Sequence, residues 1–131
     1  MRSLVVDDEL ISRMLLQKLL APLGECHIAV NGKEAIEAFL LADETRQPYD
    51  LICLDIMMPG IDGQKVLQQI RAMEANKGIP KENRVAIIMT TALDDAESVM
   101  KAVVKYGCNS YILKPIDKVK LIGRLKEIGL I

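Results

Sequence analysis

Short apolar runs rich in β-branched residues alternate along the chain with stretches whose apolar positions recur every three or four residues, and the alternation occurs five times. Ser3 to Val6 predicts a first strand. A helix follows over Ile11 to Leu20, with Ile11, Met14, Leu15, Leu19 and Leu20 on its apolar side, and Pro22 and Gly24 stop it. Glu25 to Val30 predicts a second strand. Asn31 then caps a helix reaching Leu41, Glu34 completes a capping-box-like pair, and Ala35, Ile36, Phe39 and Leu40 supply the apolar face. Leu51 to Leu54 is the third strand, and a loop containing Met58-Pro59-Gly60 leads into a helix over Gln64 to Ala75 that turns Val66, Leu67, Ile70 and Met73 inward. A polar loop carrying Gly78, Pro80 and Asn83 precedes the fourth strand, Val85 to Met89. Asp94 or Asp95 caps the next helix, which runs to Tyr106 and is ended by Gly107. Ser110 to Leu113 and Asp117 to Ile128 are the last strand and helix.

Five β-α units without a linker, a solenoid-length repeat or a low-complexity tract predict one α/β domain over residues 1–131. Parallel strands joined by helices require right-handed crossovers, so the sheet is expected to be open and doubly wound. Composition agrees. Half the residues are hydrophobic and only 3% are aromatic, so the core must be aliphatic, as parallel strands covered on both faces require. A net charge of −1 offers no global basic field to nucleic acid. The apolar runs are too short to span a bilayer, and Asp7, Asp8 and Glu9 interrupt the N-terminal one before it could serve as a signal peptide. Cys26, Cys53 and Cys108 show no CxxC pairing and read as reduced thiols of a cytoplasmic protein. His27 has no partner histidine and reads as structural.

In doubly wound sheets ligands bind beyond the carboxyl ends of the strands. Those ends deliver Asp7 and Asp8 after strand 1, Asp55 after strand 3, Thr90 and Thr91 at strand 4, and Lys114-Pro115 after strand 5. Crowded carboxylates repel one another unless a cation or a proton intervenes, and a hard divalent ion such as Mg²⁺ suits oxygen ligands. A carboxylate can attack phosphorus to form an acyl phosphate, with a lysine and a hydroxyl (Thr91 or Thr90) receiving the phosphoryl oxygens. Each residue also has a plainer role: Asp7-Asp8 as helix caps, Asp55 as a turn residue, the threonines as strand residues, Lys114 as solvated surface. Their convergence on one sheet edge favours the chemical reading.

Three segments, V-V-D-D-E near the start, L-I-C-L-D-I-M-M-P-G-I-D-G over Leu51 to Gly63, and Y-I-L-K-P near the end, resemble in order the signatures of response regulator receiver domains of two-component systems. The likeness covers essentially the whole chain and is closest to the single-domain, chemotaxis-regulator type. It implies a flavodoxin-like (βα)5 fold with strand order 2-1-3-4-5. Most members of that family join the receiver to an output domain, but this sequence ends just after the last predicted helix, so a stand-alone receiver without an output domain is expected. The resemblance implies that Asp55 accepts a phosphoryl group from a sensor histidine kinase or a histidine phosphotransfer protein. By the same resemblance Asp8 and Asp55 would ligate Mg²⁺ directly, Asp7 through water, and Met57 through its backbone carbonyl. Lys114 would hold the phosphoryl oxygens and its bond to Pro115 would be cis. Thr91, followed by Ala92, would be the switch hydroxyl, and Tyr111 the aromatic switch residue.

Phosphorylation would then bias the face made by the fourth predicted helix, the fifth strand and the last helix toward a downstream protein. Val99, Met100, Val103 and Val104 give that helix more apolar positions than one buried stripe needs. The expected partners include no nucleic acid and no membrane, and the expected assembly is a monomer or a weak phosphorylation-dependent dimer. Met57 and Leu93, two residues after the aspartate and the threonine, are apolar, so neither is expected to position a hydrolytic water and the phosphorylated state should not be especially short-lived. Such a protein is a switch rather than an enzyme, with only self-catalysed phosphotransfer and slow autodephosphorylation.

Other readings fit less well. A Mg²⁺-dependent aspartyl-phosphate phosphatase of the haloacid dehalogenase type needs a second carboxylate where Met57 stands. A nucleotide hydrolase needs a G-x-x-x-x-G-K-[ST] loop, which is lacking. A flavin carrier would not place an acidic turn at its phosphate site. A degenerate receiver acting as a scaffold is the other alternative, against which stands the presence of all the expected chemical groups.

Overall fold

Five parallel strands, β1 (Ser3–Val6), β2 (Cys26–Ala29), β3 (Leu51–Asp55), β4 (Ala86–Thr91) and β5 (Ser110–Leu113), form one sheet in the order β2-β1-β3-β4-β5. A computed structural model of the chain describes residues 1–92, 99 and 101–131, without the side chains of Val103 and Val104. Its α-helices are α1 (Leu10–Leu20), α2 (Gly32–Glu44), α3 (Gly63–Asn76) and α4 (Lys118–Glu127). The expected fold class and strand order are those observed.

The period of two along each strand divides the core. Leu4, Val6, Ile52, Leu54, Ile87 and Met89 face one side, against Ala35 of α2 and Val66, Leu67 and Ile70 of α3. Val5, Leu51, Cys53, Ile88 and Ile112 face the other, against Leu16 and Leu20 of α1 and Leu121 and Leu125 of α4. Strands apolar at every position, as β1 and β3 nearly are, can only lie in the middle of such a three-layer stack. Three helix starts are fixed by side-chain caps: Asn31 Oδ1 accepts from Glu34 N (2.8 Å), Asp62 from Lys65 N (3.0 Å) and Asp117 from Lys120 N (2.8 Å). Glu34 Oε1 reaches back to Val30 N (2.9 Å), one residue earlier than in a standard capping box.

Two helix faces differ from expectation. In α1 the buried residues are Leu16 and Leu20, while Ile11 is 75% and Met14 58% exposed. At about 100° per residue, Met14 lies roughly 160° around the axis from Leu16, so one side of α1 cannot bury both. In α2, Ala35 and Ala42 are buried and Leu40 is exposed, because the small alanines let the helix approach the sheet closely. The predicted caps Asp94 and Asp95, together with Leu93 and Met100, lie outside the described residues. The end of that predicted helix, Lys101–Lys105, is π-helical, with Tyr106 N donating to Lys101 O at 3.1 Å across five residues. Gly107 follows at φ +76°, a turn that costs a glycine nothing.

A polar network, unforeseen in the sequence, ties α3 to the amino ends of β4 and β5. Glu74 is buried; its Oε1 accepts from Arg71 Nη1 (2.6 Å) and its Oε2 from Val85 N (2.8 Å). Arg71 also donates to Gly107 O (3.0 Å) and Asn109 Oδ1 (2.9 Å), and that same oxygen accepts from Ile87 N (2.8 Å). His27 is held by Tyr49 Oη (2.8 Å) and Glu25 (3.0 Å), consistent with a structural role. Among the described residues no helix is long and apolar enough to cross a membrane.

Candidate functional site

The parallel register brings the carboxyl ends of β1, β3, β4 and β5 to one edge. Asp7 follows β1 and is fully buried; Asp55 ends β3 and is 3% exposed. Lys114, just past β5, bridges them, with Nζ 3.2 Å from Asp7 Oδ2 and 3.4 Å from Asp55 Oδ2. The opposite oxygens are held locally. Asp7 Oδ1 accepts from Glu9 N (2.8 Å), and Asp55 Oδ1 from Met57 N (3.2 Å). Asp8 stands at the solvent side, and one oxygen from each of Asp7, Asp8 and Asp55 lies within 4.8 Å of the others.

The plainer reading of Asp7-Asp8 as helix caps is not what the chain uses. Glu9 occupies the N-cap of α1, and no side chain caps that helix. Nor is Lys114 solvated surface: only about a fifth of its side chain is exposed. Gly63 explains how Asp55 is set. A side chain at Gly63 would overlap the Asp55 carbonyl, so only glycine lets α3 begin against the end of β3, where Gly63 N donates to Ile56 O (3.0 Å). The closing glycine of the Leu51 to Gly63 segment was the available signal for this contact.

The electrostatics are those of a strained cluster. The Asp55 carboxyl is raised to about 7: burial drives it up most, the Lys114 charge opposes this, the Asp7 charge adds to it, and hydrogen bonds from Met57 N and Lys114 oppose it. For Lys114, burial disfavours the ammonium, but the charges of Asp55 and Asp7 outweigh it and hold the group above its ordinary value. With all three carboxylates ionised, three negative charges face one positive charge. Asp7 Oδ2 meets the ion-pair distance to Lys114 yet makes no well-directed hydrogen bond, leaving a buried acceptor unused. An all-oxygen, anion-rich donor set with such an acceptor fits a hard divalent cation.

The other expected residues are placed as follows. Thr90 stands opposite Asp55 in the register, its Oγ1 buried and unpartnered among the described residues. Thr91 is buried on the next position, its Oγ1 donating to Ala92 O (3.4 Å). Met57 is exposed and brings its N–H to Asp55. The Lys114–Pro115 bond is cis. Tyr111 is half-buried, with the Arg124 guanidinium 5.2 Å from its ring centroid, and both line a cavity of about 570 Å³ beside Lys114 and Pro115. Arg13, not singled out in the sequence, donates to Asp7 O (3.0 Å) and braces the acidic turn.

Carboxylates and a lysine gathered at the carboxyl edge of a 2-1-3-4-5 sheet define a class of aspartate-centred signalling domain. The chain belongs to the response regulator receiver domain family, whose model matches residues 3–126. It is accordingly a receiver domain of two-component phosphorelay signalling, a family of phosphoacceptor switches. Over 126 residues it is 38% identical to a probable transcriptional regulator, ycf27, of Cyanidium caldarium, a match covering 95% of this chain and 45% of that protein. The chain spans about half the length, or less, of the curated relatives it matches. Among solved structures it is similar to the receiver domain of the histidine kinase CKI1 from Arabidopsis thaliana complexed with Mg²⁺ and BeF3⁻ (TM-score 0.81, 28% identity, 99% of this chain and 90% of that one). It is also similar to a chain in the complex of the Saccharomyces cerevisiae phosphotransfer protein Ypd1 with the receiver domain of Ssk1 (TM-score 0.83, 27% identity, 99% and 89%).

Proposed function

We propose that Asp55 is the phosphoacceptor of this receiver and that a phosphohistidine, on a sensor histidine kinase or a histidine phosphotransfer protein, is the donor. One Asp55 oxygen attacks phosphorus, the P–O bond forms as the P–N bond to imidazole breaks, and the imidazole nitrogen leaves and takes up a proton. Asp7, Asp8, Asp55 and the backbone carbonyl of Met57 would hold Mg²⁺, which when bound supplies positive charge to offset that gathering on the phosphoryl oxygens. Lys114, 3.4 Å from Asp55 Oδ2, accompanies the transferred group in this reading. Thr91 is the hydroxyl that follows it, and Tyr111 the ring that responds beside the cavity it lines. The observation that carries this reading is the pair of buried carboxylates, Asp7 and Asp55, bridged by one lysine at 3.2 and 3.4 Å.

The exposed row Leu10, Ile11 and Met14 begins two residues after Asp8 and is the natural seat for the donor protein, which must bring a histidine to Asp55. The downstream partner reads the face made by the predicted fourth helix, β5 and α4. A monomer, or a weak dimer formed on phosphorylation, is the assembly proposed. The cytoplasm suits three free cysteines, of which burial pushes the Cys53 thiol to about 12 and the Cys108 thiol to about 11, leaving both unreactive. Incubation with acetyl phosphate and Mg²⁺ should raise the intact mass by about 80 Da, one phosphoryl group on a carboxylate, and Asp55→Asn should abolish the gain. A gain that persists in Asp55→Asn, or none in the wild type, would overturn the assignment.

A further inference from the structure

At the opposite edge of the sheet, where β4 and β5 begin, lies a cavity of about 420 Å³ that the phosphoacceptor chemistry does not use. Four of its lining residues, Arg71, Lys81, Arg84 and Lys105, are cationic and none is acidic, in a chain with 18 acidic and 17 basic residues. Among the described residues, the nearby carboxylates offset that charge only in part. Glu74 is committed to Arg71 and Val85 N, and Glu82, on the same turn as Lys81, does not line the cavity. With Arg71 balanced by Glu74, Lys81, Arg84 and Lys105 leave three formal positive charges on the lining, or two with the neighbouring Glu82 counted.

The donors are also directed. Arg84 is anchored through Nε to Ile79 O (3.0 Å), and among the described residues its two Nη groups have no partner. Asn109 spends its carbonyl oxygen on Ile87 N and Arg71, which leaves its amide N–H groups as donors. Lys105 Nζ sits 5.6 Å from the centroid of the Tyr106 ring. A concave site of ligand size, furnished with donors and positive charge and lined by no carboxylate among the described residues, selects a multiply charged anion. A phosphate ester, with up to two charges and three strong acceptor oxygens, matches this set of cations better than a single carboxylate does. We propose that this cavity binds a small phosphate-bearing ligand, independently of Asp55 and its metal site, with Arg84 and Lys81 as the principal contacts.

Inorganic pyrophosphate is the probe, titrated into the isotope-labelled chain at low salt without divalent cations and followed by amide NMR. Saturable shifts should centre on Lys81, Arg84, Lys105, Tyr106 and Gly107. Affinity should fall about tenfold or more in the Lys81→Glu/Arg84→Glu double variant, since charge-assisted contacts are lost and reversed. Lys81→Ala, at an exposed side chain, should cost about threefold and keeps the test decisive should the double variant fail to fold. Shifts centred on Asp7, Asp8 and Lys114, non-saturating shifts that sodium chloride reproduces at equal ionic strength, or affinity unchanged in the variants would each overturn the proposal.

Discussion

Replacing Asp55 by asparagine should stabilise the metal-free protein at pH 8. Burial, together with Asp7, raises the carboxyl from an ordinary 3.8 to about 7. Between those values the folded chain holds more protons than the unfolded one, so stability falls as pH rises through the window and the cost is fully present above about 8. Lys114 does not contribute to this slope, since its shift lies above its ordinary 10.5. A shift of about three units at about 1.4 kcal/mol each sets a ceiling near 4 kcal/mol. Relaxation and water entry at a site open through Asp8 bring the effect to on the order of 2 kcal/mol, or about 6 °C in Tm for a domain of this size. Asn is nearly isosteric, keeps an acceptor for Met57 N and leaves Lys114 paired with Asp7. Thermal and urea melts of both proteins at pH 5, 6, 7 and 8, without divalent cations, isolate this residue from every other titrating group. The variant should be the more stable throughout, by a smaller margin at pH 5 and a larger one at pH 8, with the curves converging only below the ordinary carboxyl value of 3.8. Added Mg²⁺ should reverse the order, because ligand binding to the folded state stabilises only the protein that binds it well. A wild type whose advantage or deficit against Asp55→Asn does not change between pH 5 and 8 would refute the reasoning.

Gly63→Ala should lower stability by about 1–3 kcal/mol, through overlap with the Asp55 carbonyl that no rotamer relieves, and should slow phosphorylation; urea melts and acetyl phosphate labelling check both effects. Glu74→Ala should cost about 3 kcal/mol, since it leaves Arg71 and the Val85 N–H without their buried acceptor; chemical denaturation measures it, and a loss below about 1 kcal/mol would mean the network is not a structural tie. Ile11→Lys with Met14→Lys should leave labelling by acetyl phosphate unchanged and slow transfer from a phosphohistidine protein by about tenfold, so equal slowing of both reactions would count against α1 as the donor's seat.

The order of elements was legible because strands apolar on both faces and helices with periodic apolar positions leave one economical architecture. The site was legible as residue types at strand ends, which is where this topology concentrates polar groups. What the sequence withheld depends on geometry that a linear pattern does not carry. The apolar periodicity of α1 admits more than one stripe, and only its seating on the sheet selects Leu16 and Leu20 while exposing Ile11 and Met14. Nothing in the linear pattern marks Glu74, whose role is set when β4 brings the Val85 N–H to it. Nor does the pattern show why position 63 is glycine, which follows from α3 starting against Asp55. The cationic cavity joins Arg71, Lys81, Arg84 and Lys105 across three elements, with no motif in any one of them.

Asp55 as the site of phosphorylation is tested most directly by finding the modified residue itself. After acetyl phosphate and Mg²⁺ treatment, borohydride reduction converts an aspartyl phosphate to homoserine, and tandem mass spectrometry of the resulting peptides reports its position. The account predicts homoserine at position 55 alone. Homoserine at position 7 or 8, or a stable phosphate on a serine or threonine with Asp55 unmodified, would contradict it.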